Sequence, residues 1–347
     1  MSKKVSIGSL RIGGGEKIAI QTMCDVKTSK IAEVISEIQE VYELGCNIVR
    51  VSVKDEADAI ALKEIKRLSP IPLVADIHFD YRLALKAIDG GVDKIRINPG
   101  NIGSPDKVEA VAKALKESGA AVRVGSNTGS VEKEFLAKYG KNEISLAESA
   151  LKNVALLEKY GVENIVISAK ASDVSLMVRT YRYLAKKTDY PLHLGVTEAG
   201  SVNMGVVKNS IGIGSLLLDG IGDTIRVSLT APIREEVLAA KRILRSVGAD
   251  KNYVEIVSCP TCGRTAYDMP SLLREVEGAV AGIEKPLKIA VMGCVVNGPG
   301  EAKDCDLGIA GGDGRCVIFR KGEVFMTVDE HDAKRVFLEE INRLLQG

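Results

Sequence analysis

Neither sign of charge is in excess in this 347-residue chain: Lys+Arg number 47 against Asp+Glu 46, a formal net charge of +1. That balance removes the electrostatic case for a nucleic-acid or membrane partner, so any anionic ligand must be held by a few placed cations. No apolar run approaches the length of a membrane span, and the opening residues Met1 to Val5 lack the apolar stretch of a secretory signal. A soluble, cytoplasmic protein is therefore expected. Tryptophan is absent and histidines number three. The seven cysteines are an odd number, which argues against a closed disulfide framework, as does a reducing cytosol. Also lacking is a Gly-rich phosphate loop after the first strand: the turn reads Gln21-Thr22-Met23-Cys24-Asp25, with neither GxGxxG nor a P-loop.

At roughly 100–200 residues per domain, the length allows one large domain or two unequal ones. Up to about residue 247 one unit repeats, a short β-branched run ending in polar residues and followed by an amphipathic helical stretch. Eight runs are counted: Ile18–Met23, Ile48–Val53, Leu73–Phe79, Lys94–Asn98, Ala121–Asn127, Asn164–Lys170, Pro191–Thr197 and Asp223–Leu229. Between them lie helical periodicities such as Ile31, Val34, Ile35, Ile38, Val41 and Val108, Val111, Ala112, Leu115. Alternating strands and helices imply a parallel sheet, and eight repeats close a (β/α)8 TIM barrel. An open doubly wound sheet is disfavoured by the missing phosphate loop. The expected fold is α/β, with a barrel over residues 1–248 and a small α/β domain over 249–347.

In such barrels the loops after the strands form the active face. Polar residues stand at nearly every predicted strand end: Gln21, Arg50, Asp76 with His78, Arg96 with Asn98, Arg123 with Asn127, Ser168 with Lys170, His193 with Thr197 and Glu198, Arg226 with Ser228. Any one alone reads equally well as a satisfied polar group. Together they carry a sign, because Arg50, Arg96, Arg123, Lys170 and Arg226 would converge on one rim that holds only Asp76 and Glu198 as acids. Converging arginine forks match phosphate oxygens, so the rim suits a substrate with two or more phosphate charges. Lys208 and Ser210, in the Gly-rich stretch after the seventh strand, are further candidate contacts; loop packing accounts for those glycines equally well.

Two cysteines, Cys24 and Cys46, lie early, and five crowd into the last quarter. After a helix over Pro232–Val247 and a stop at Gly248 comes Cys259-Pro260-Thr261-Cys262-Gly263-Arg264, then Gly293-Cys294-Val295-Val296-Asn297-Gly298-Pro299-Gly300-Glu301. The first run alone also fits a zinc ribbon, but a ribbon needs a second CxxC. One returning cysteine followed by a Gly/Pro-rich loop, whose bare N–H groups would reach cluster sulfides, points to an iron–sulfur site. Cys305, Cys316 and Glu301 are all available as fourth ligand. Cys316 sits in a strand-like run, Cys305 lies between Asp304 and Asp306, and Glu301 would be a harder, weaker ligand that leaves one iron open.

These two cysteine runs, with Arg96-Ile97-Asn98-Pro99-Gly100-Asn101-Ile102-Gly103 and Thr197-Glu198-Ala199-Gly200, closely resemble the 4-hydroxy-3-methylbut-2-en-1-yl diphosphate synthase family in its shorter, two-domain form. The resemblance spans essentially the whole chain, with Thr22 standing where serine is usual. It implies reductive ring opening of 2-C-methyl-D-erythritol 2,4-cyclodiphosphate in the non-mevalonate isoprenoid pathway, with two electrons from ferredoxin or flavodoxin. It also implies a [4Fe–4S] cluster on Cys259, Cys262, Cys294 and Glu301. Diphosphate and polyol contacts fall on Arg96, Arg123, Asn127, Lys170, Arg226 and Ser228, and Glu198 is the carboxylate facing the cluster and the expected proton donor. Arg50, Asn98, His193 and Lys208 complete the expected substrate contacts.

A linker of about nine residues, 248–256, reaches at most roughly 30 Å and leaves the barrel on the face away from its strand ends. A head-to-tail homodimer, each cluster domain capping the other subunit's barrel, is therefore expected, as the resemblance also implies. Two other functions fit the residues: a zinc-stapled barrel aldolase or lyase on a sugar phosphate with Lys170 as Schiff base, and an electron-transfer module fused to a binding barrel.

Overall fold

The computed structural model describes residues 1–346 apart from Ala266, Asn297 and Asp313, with the side chains of Pro99 and Pro299 also outside the description. Asn297, in the second cysteine run, thus lies outside the described residues. The chain divides into two compact units, Met1–Ala249 and Asp250–Gly347. Among the described residues no helix is long and apolar enough to cross a membrane.

The first unit opens with a hairpin, β1 (Val5–Ile7) and β2 (Leu10–Ile12), paired antiparallel. Eight strands follow: β3 (Ala19–Met23), β4 (Ile48–Ser52), β5 (Leu73–Asp76), β6 (Lys94–Ile97), β7 (Ala121–Asn127), β8 (Ile165–Lys170), β9 (His193–Leu194) and β10 (Thr224–Ile225). All neighbours are parallel, in the order β8-β7-β6-β5-β4-β3-β10-β9. A parallel bridge between Ile167 and Leu192, with the Ile167 N–H donating to the Pro191 carbonyl at 2.9 Å, joins the two end strands and closes the cylinder. The barrel is thus the expected one, and its helices follow the periodicity. Helix Pro105–Ser118 buries Val108, Val111, Ala112 and Leu115, and helix Ile233–Ser246 stops just before Gly248, which has φ +72°.

Three local features differ from the sequence reading. The seventh and eighth strands, expected over seven residues each, keep only two. Beyond Leu194 the Val196 N–H is taken by the Asn209 side-chain carbonyl (3.3 Å), and beyond Ile225 the Leu229 N–H is taken by the Glu236 carboxylate (3.1 Å), so side chains replace the ladder. The Gly-rich stretch is no loop but the helix Val202–Leu218. A Cβ on Gly205 would meet Leu229 Cδ2 at 2.5 Å and one on Gly212 would meet Val196 Cγ2 at 2.9 Å, so these glycines let the helix lie close on the barrel. The hairpin was not foreseen. Val5, Ile7 and Ile12 are buried with Ala19, Ile48, Val74, Ala121 and Val166 near the strand starts, sealing that end of the barrel with apolar surface.

The second unit is one sheet in sequence order, β11 (Val254–Ser258), β12 (Leu287–Met292), β13 (Leu307–Gly311), β14 (Arg315–Arg320) and β15 (Glu323–Asp329). Its first three strands are parallel and the last two antiparallel. Helices Met269–Ala279 and Glu330–Gln346 pack on it through Leu272, Val276, Phe337 and Ile341, against Ile289, Val291, Ile309 and Ile318. It is an α/β unit with its own core.

Because Ile12 is wholly buried in the barrel seal, Ile12→Ala is expected to cost about 2–5 kcal/mol. Urea unfolding of the barrel should show a lower midpoint at unchanged slope.

Candidate active site

The strand ends of the barrel carry one strongly cationic pocket. Arg50 from β4, Arg96 from β6, Arg123 from β7, Lys170 from β8 and Arg226 just past β10 line it, with Asn127, Ser168, Ser228, Thr197, Asp76 and His78. In a parallel barrel residues of alternate parity point inward, and these five cations are inward positions on, or for Arg226 just past, five different strands. Close approach between them is made possible by two glycines. A Cβ on Gly125 would meet Arg96 Nε at 2.6 Å, and one on Gly195 would meet Lys170 Nζ at 2.6 Å.

Two buried carboxylates hold part of this charge. Asp76 Oδ1 accepts from Arg96 Nη1 at 3.3 Å, and Oδ2 lies 3.9 Å from Arg50 Nε. Burial pushes the Asp76 carboxyl up, but the guanidinium groups of Arg50 and Arg96, with His78 and Arg123, outweigh it and hold the group below the usual carboxylate range. Arg226 is gripped by Glu236 through Nε to Oε2 (3.2 Å) and Nη2 to Oε1 (3.1 Å). Arg123 and Lys170 have no carboxylate within ion-pair distance among the described residues. Burial and the neighbouring cations press both well below their ordinary pKa values, and Arg50 is lowered to about 10 by burial despite Asp76. Arg123 is buried with Nε and Nη1 unpartnered. Such an arrangement stores electrostatic cost that an anion with paired oxygens relieves.

Not every expected contact is in the pocket. His193 is fully buried one step below it, its Nδ1 2.7 Å from Thr224 Oγ1, and does not line the cavity. It lies at the start of β9, where an inward side chain meets the barrel interior and not its mouth. Asn98 is also buried, its Oδ1 accepting the Gly100 N–H at 3.2 Å as the cap of a short helix, Pro99–Ile102. Lys208 lies on the helix Val202–Leu218, outside the pocket lining, because the residues around it are helical and pack against the barrel wall. Glu198 is exposed and has φ +54°, one of two non-glycine residues at positive φ among those described. Strain of this kind collects at functional positions.

Three contributors escaped the sequence reading: Glu236, Gly125 and Gly195. A signal existed for Glu236, which sits on the apolar face of its helix with Ile233, Val237 and Ala240. Beneath the pocket, fully buried Lys94 donates to Gln21 Oε1 at 3.0 Å.

In the second unit Cys259 follows β11 directly and Cys294 follows β12 by two residues. The strands are parallel neighbours with Ser258 opposite Val291, and the Gly293 N–H donates to Cys259 Sγ at 3.1 Å. Cys262 is exposed, its N–H donating to Thr265 Oγ1 at 3.1 Å, and the Arg264 backbone and guanidinium hold its thiol below the ordinary range. The expected Gly/Pro-rich loop contains a helical turn, Gly298–Glu301, which ends on exposed Glu301. Cys305 and Cys316 are buried, and burial raises both thiols, Cys316 to about 11. Cys24 and Cys46 are buried in the barrel core. Among the described residues no three His, Cys, Asp or Glu side chains gather closely enough to hold a metal ion. The geometry alone therefore assigns no metal centre. Donor chemistry does fit an iron–sulfur cluster: three thiols that stay at least partly exposed, two of them just past adjacent parallel strands and one of these already accepting a main-chain N–H.

A (β/α)8 barrel with a polycationic pocket at its strand ends, joined to a small α/β unit bearing accessible thiols, defines an enzyme class acting on a phosphorylated small molecule. Residues 2–241 match the GcpE TIM-barrel domain and residues 255–343 the GcpE protein C-terminal domain. The chain belongs to the GcpE family, the 4-hydroxy-3-methylbut-2-en-1-yl diphosphate synthases. It is 51% identical to the relative of Caldanaerobacter subterraneus subsp. tengcongensis named 4-hydroxy-3-methylbut-2-en-1-yl diphosphate synthase (flavodoxin), over all of this chain and 98% of that one. It is likewise 51% identical to the protein of that name from Clostridium perfringens, over 99% and 98% of the two chains. Enzymes of this family use an iron–sulfur cluster. Among solved structures, Yersinia pestis dihydropteroate synthase superposes with a TM-score of 0.53 at 11% identity, covering 72% of this chain and 100% of that one. A Thermotoga maritima phospho-2-dehydro-3-deoxyheptonate aldolase superposes with a TM-score of 0.51 at 14% identity, over 71% and 72%. Both likenesses concern the fold.

The surroundings of His193 generate a pH prediction. Burial and the cations Arg123, Lys170, Lys94 and Arg50 hold its pKa well below 6.5. The unfolded chain therefore binds a proton below about pH 6.5 that the folded one refuses. Stability is full above that value and falls with acidification, by up to about 1.4 kcal/mol per pH unit for this one group. His193→Gln should flatten the decline of barrel stability between pH 6.5 and 5, measured by urea unfolding at each pH.

Proposed function

We infer that this chain catalyses the reductive ring opening of 2-C-methyl-D-erythritol 2,4-cyclodiphosphate to 4-hydroxy-3-methylbut-2-enyl diphosphate in the non-mevalonate isoprenoid pathway, with flavodoxin, the donor in its relatives' names, as reductant. The observation that carries it is the pocket, where five cations from five strands face two buried carboxylates and leave positive charge for a cyclic diphosphate.

In the reaction two electrons and one proton enter, the ring C–O bond breaks and one oxygen leaves as water. Arg123 and Lys170, uncompensated by carboxylates, take the phosphate oxygens most strongly, with Arg50, Arg96 and Arg226 around them. Asn127 and Ser228 supply neutral hydrogen bonds to the polyol and ester oxygens. Glu198, at the exposed rim, is the proton donor to the departing hydroxyl in this reading. Cys259, Cys262, Cys294 and Glu301 would hold a [4Fe–4S] cluster, which supplies electrons one at a time and a Lewis-acidic iron when bound.

The working unit in this reading is a head-to-tail homodimer, the thiol-bearing unit of one subunit serving the barrel of the other. The connection supports it: helix Ile233–Ser246 runs back from the pocket face, and β11 begins at Val254, so few residues are available for a return.

Anaerobic turnover of the cyclodiphosphate with a chemical reductant tests the activity. With that assay, Glu198→Gln should leave the dissociation constant of the substrate within about threefold while kcat falls roughly 10²–10⁴-fold, the usual worth of a general acid; an unchanged kcat would remove Glu198 from the role. Mixing inactive Glu198→Gln protein with inactive Cys294→Ser protein should restore part of the activity through hybrid dimers. No recovery after subunit exchange has been verified by mass spectrometry would rule out the shared site.

A further inference from the structure

The five cations of the pocket are held in three different ways. Arg50 and Arg96 share Asp76 through single contacts, at 3.9 and 3.3 Å. Arg123 and Lys170 meet no carboxylate at ion-pair distance among the described residues. Arg50 forks onto Met23 Sδ through Nε and Nη2 (3.1 and 2.8 Å), but among the described residues Arg226 alone of the five grips a carboxylate with two prongs, Nε and Nη2 on the two oxygens of Glu236.

Glu236 is itself immobilised. It is buried, and besides Arg226 it accepts the Thr22 hydroxyl on Oε2 at 2.7 Å and the Leu229 N–H on Oε1 at 3.1 Å. A carboxylate has about four lone-pair sites, and four donors fill them. Those donors come from β3, from the segment after β10 and from the Arg226 fork, while Glu236 comes from the helix Ile233–Ser246. Three pieces of backbone therefore fix the plane of one carboxylate, and that carboxylate fixes the plane of the guanidinium. With its lone pairs occupied, Glu236 has none left for substrate or for a travelling proton. Of the five N–H groups of Arg226, two are committed to Glu236, and the other three meet no hydrogen-bond acceptor among the described residues, in a pocket that Arg226 lines.

We propose that Glu236 is a positioning residue that orients the Arg226 guanidinium toward the substrate's phosphate oxygens, and that Thr22 holds Glu236 in place for this task. The inference rests on the cyclodiphosphate reading above. It gives Thr22 a function that depends on its hydroxyl and not on its methyl group, so serine serves equally well there. It also separates Glu236 from Asp76, which is shared between two arginines through longer contacts.

The test is a double-mutant cycle on the anaerobically prepared, cluster-loaded dimer. Substrate dissociation constants are measured by calorimetry and KM and kcat by turnover, for wild type, Glu236→Gln, Arg226→Met and the double variant. Glu236→Gln is expected to raise both the dissociation constant and KM about tenfold with kcat changed less than threefold, because an anchoring contact is lost equally from ground and transition states. In the Arg226→Met background the same change should add less than about twofold, since Glu236 acts only through Arg226. Thr22→Val should weaken binding about threefold, Thr22→Ser should restore it, and the Val effect should also vanish without Arg226. The threonine variants keep the inference testable if Glu236→Gln fails to fold. A structural role alone would lower the melting temperature and affinity in both backgrounds; independent, multiplying effects, or unaltered affinity in folded Glu236→Gln or Thr22→Val, would overturn the proposal. A wild-type protein that bound no cyclodiphosphate would remove the reading of the pocket, and this inference with it. Tight wild-type binding with independent effects would remove the inference alone.

Discussion

Five like charges crowded at one end of a barrel are the constraint on which much of this molecule turns. Two unit charges 4 Å apart interact by about 4 kcal/mol at the effective dielectric typical of such sites. The chain has almost no net charge to spread that repulsion over. Its answers are local. Asp76 and Glu236 neutralise part of the cluster, Gly125 and Gly195 leave volume for the charged tips, and in the layer beneath burial disfavours further charge. There His193 and Lys94 both have strongly depressed pKa values, from burial and from the cations above them. Among the described residues the remaining positive charge has no carboxylate at ion-pair distance, and Arg123 keeps unpaired donors in a buried position. A folded protein tolerates such a group when the anion it lacks is its substrate.

The rest of the barrel makes this possible by being ordinary. Its lower end is sealed by the apolar β1–β2 hairpin, and its helices bury the expected aliphatic faces. Local strain and charge are concentrated at the upper end, with Glu198 at positive φ on the rim. The second unit divides its chemistry in the same manner. Cys305 and Cys316 pack as small apolar residues, whereas Cys259, Cys262 and Cys294 stay accessible at or beyond strand ends.

Much of this was legible in the residue pattern. Strands β4 to β8 lie where β-branched runs place them, since buried parallel strands need continuous apolar stretches. Helix Pro105–Ser118 buries the four residues its period marks. What escaped the pattern depended on neighbours distant in sequence. The shortening of β9 and β10 follows from Asn209 and Glu236 competing for strand N–H groups. The glycines of the helix Val202–Leu218 look like a loop until the wall they pack against is known. His193 and Asn98 stand near strand ends like the true lining residues, but strand stagger sets one below the mouth, and the other is spent on a helix cap.

Sequence alone therefore determined the barrel, the sign of its pocket and the separation of the cysteines, because periodicity and side-chain charge are properties of short segments. Which cations are paired and which are left free was decided only by the tertiary structure. Arg226 and Glu236 are ten residues apart, and Thr22 is more than two hundred from either. Only the closed cylinder brings β3 beside β10 and makes the three one hydrogen-bonded group.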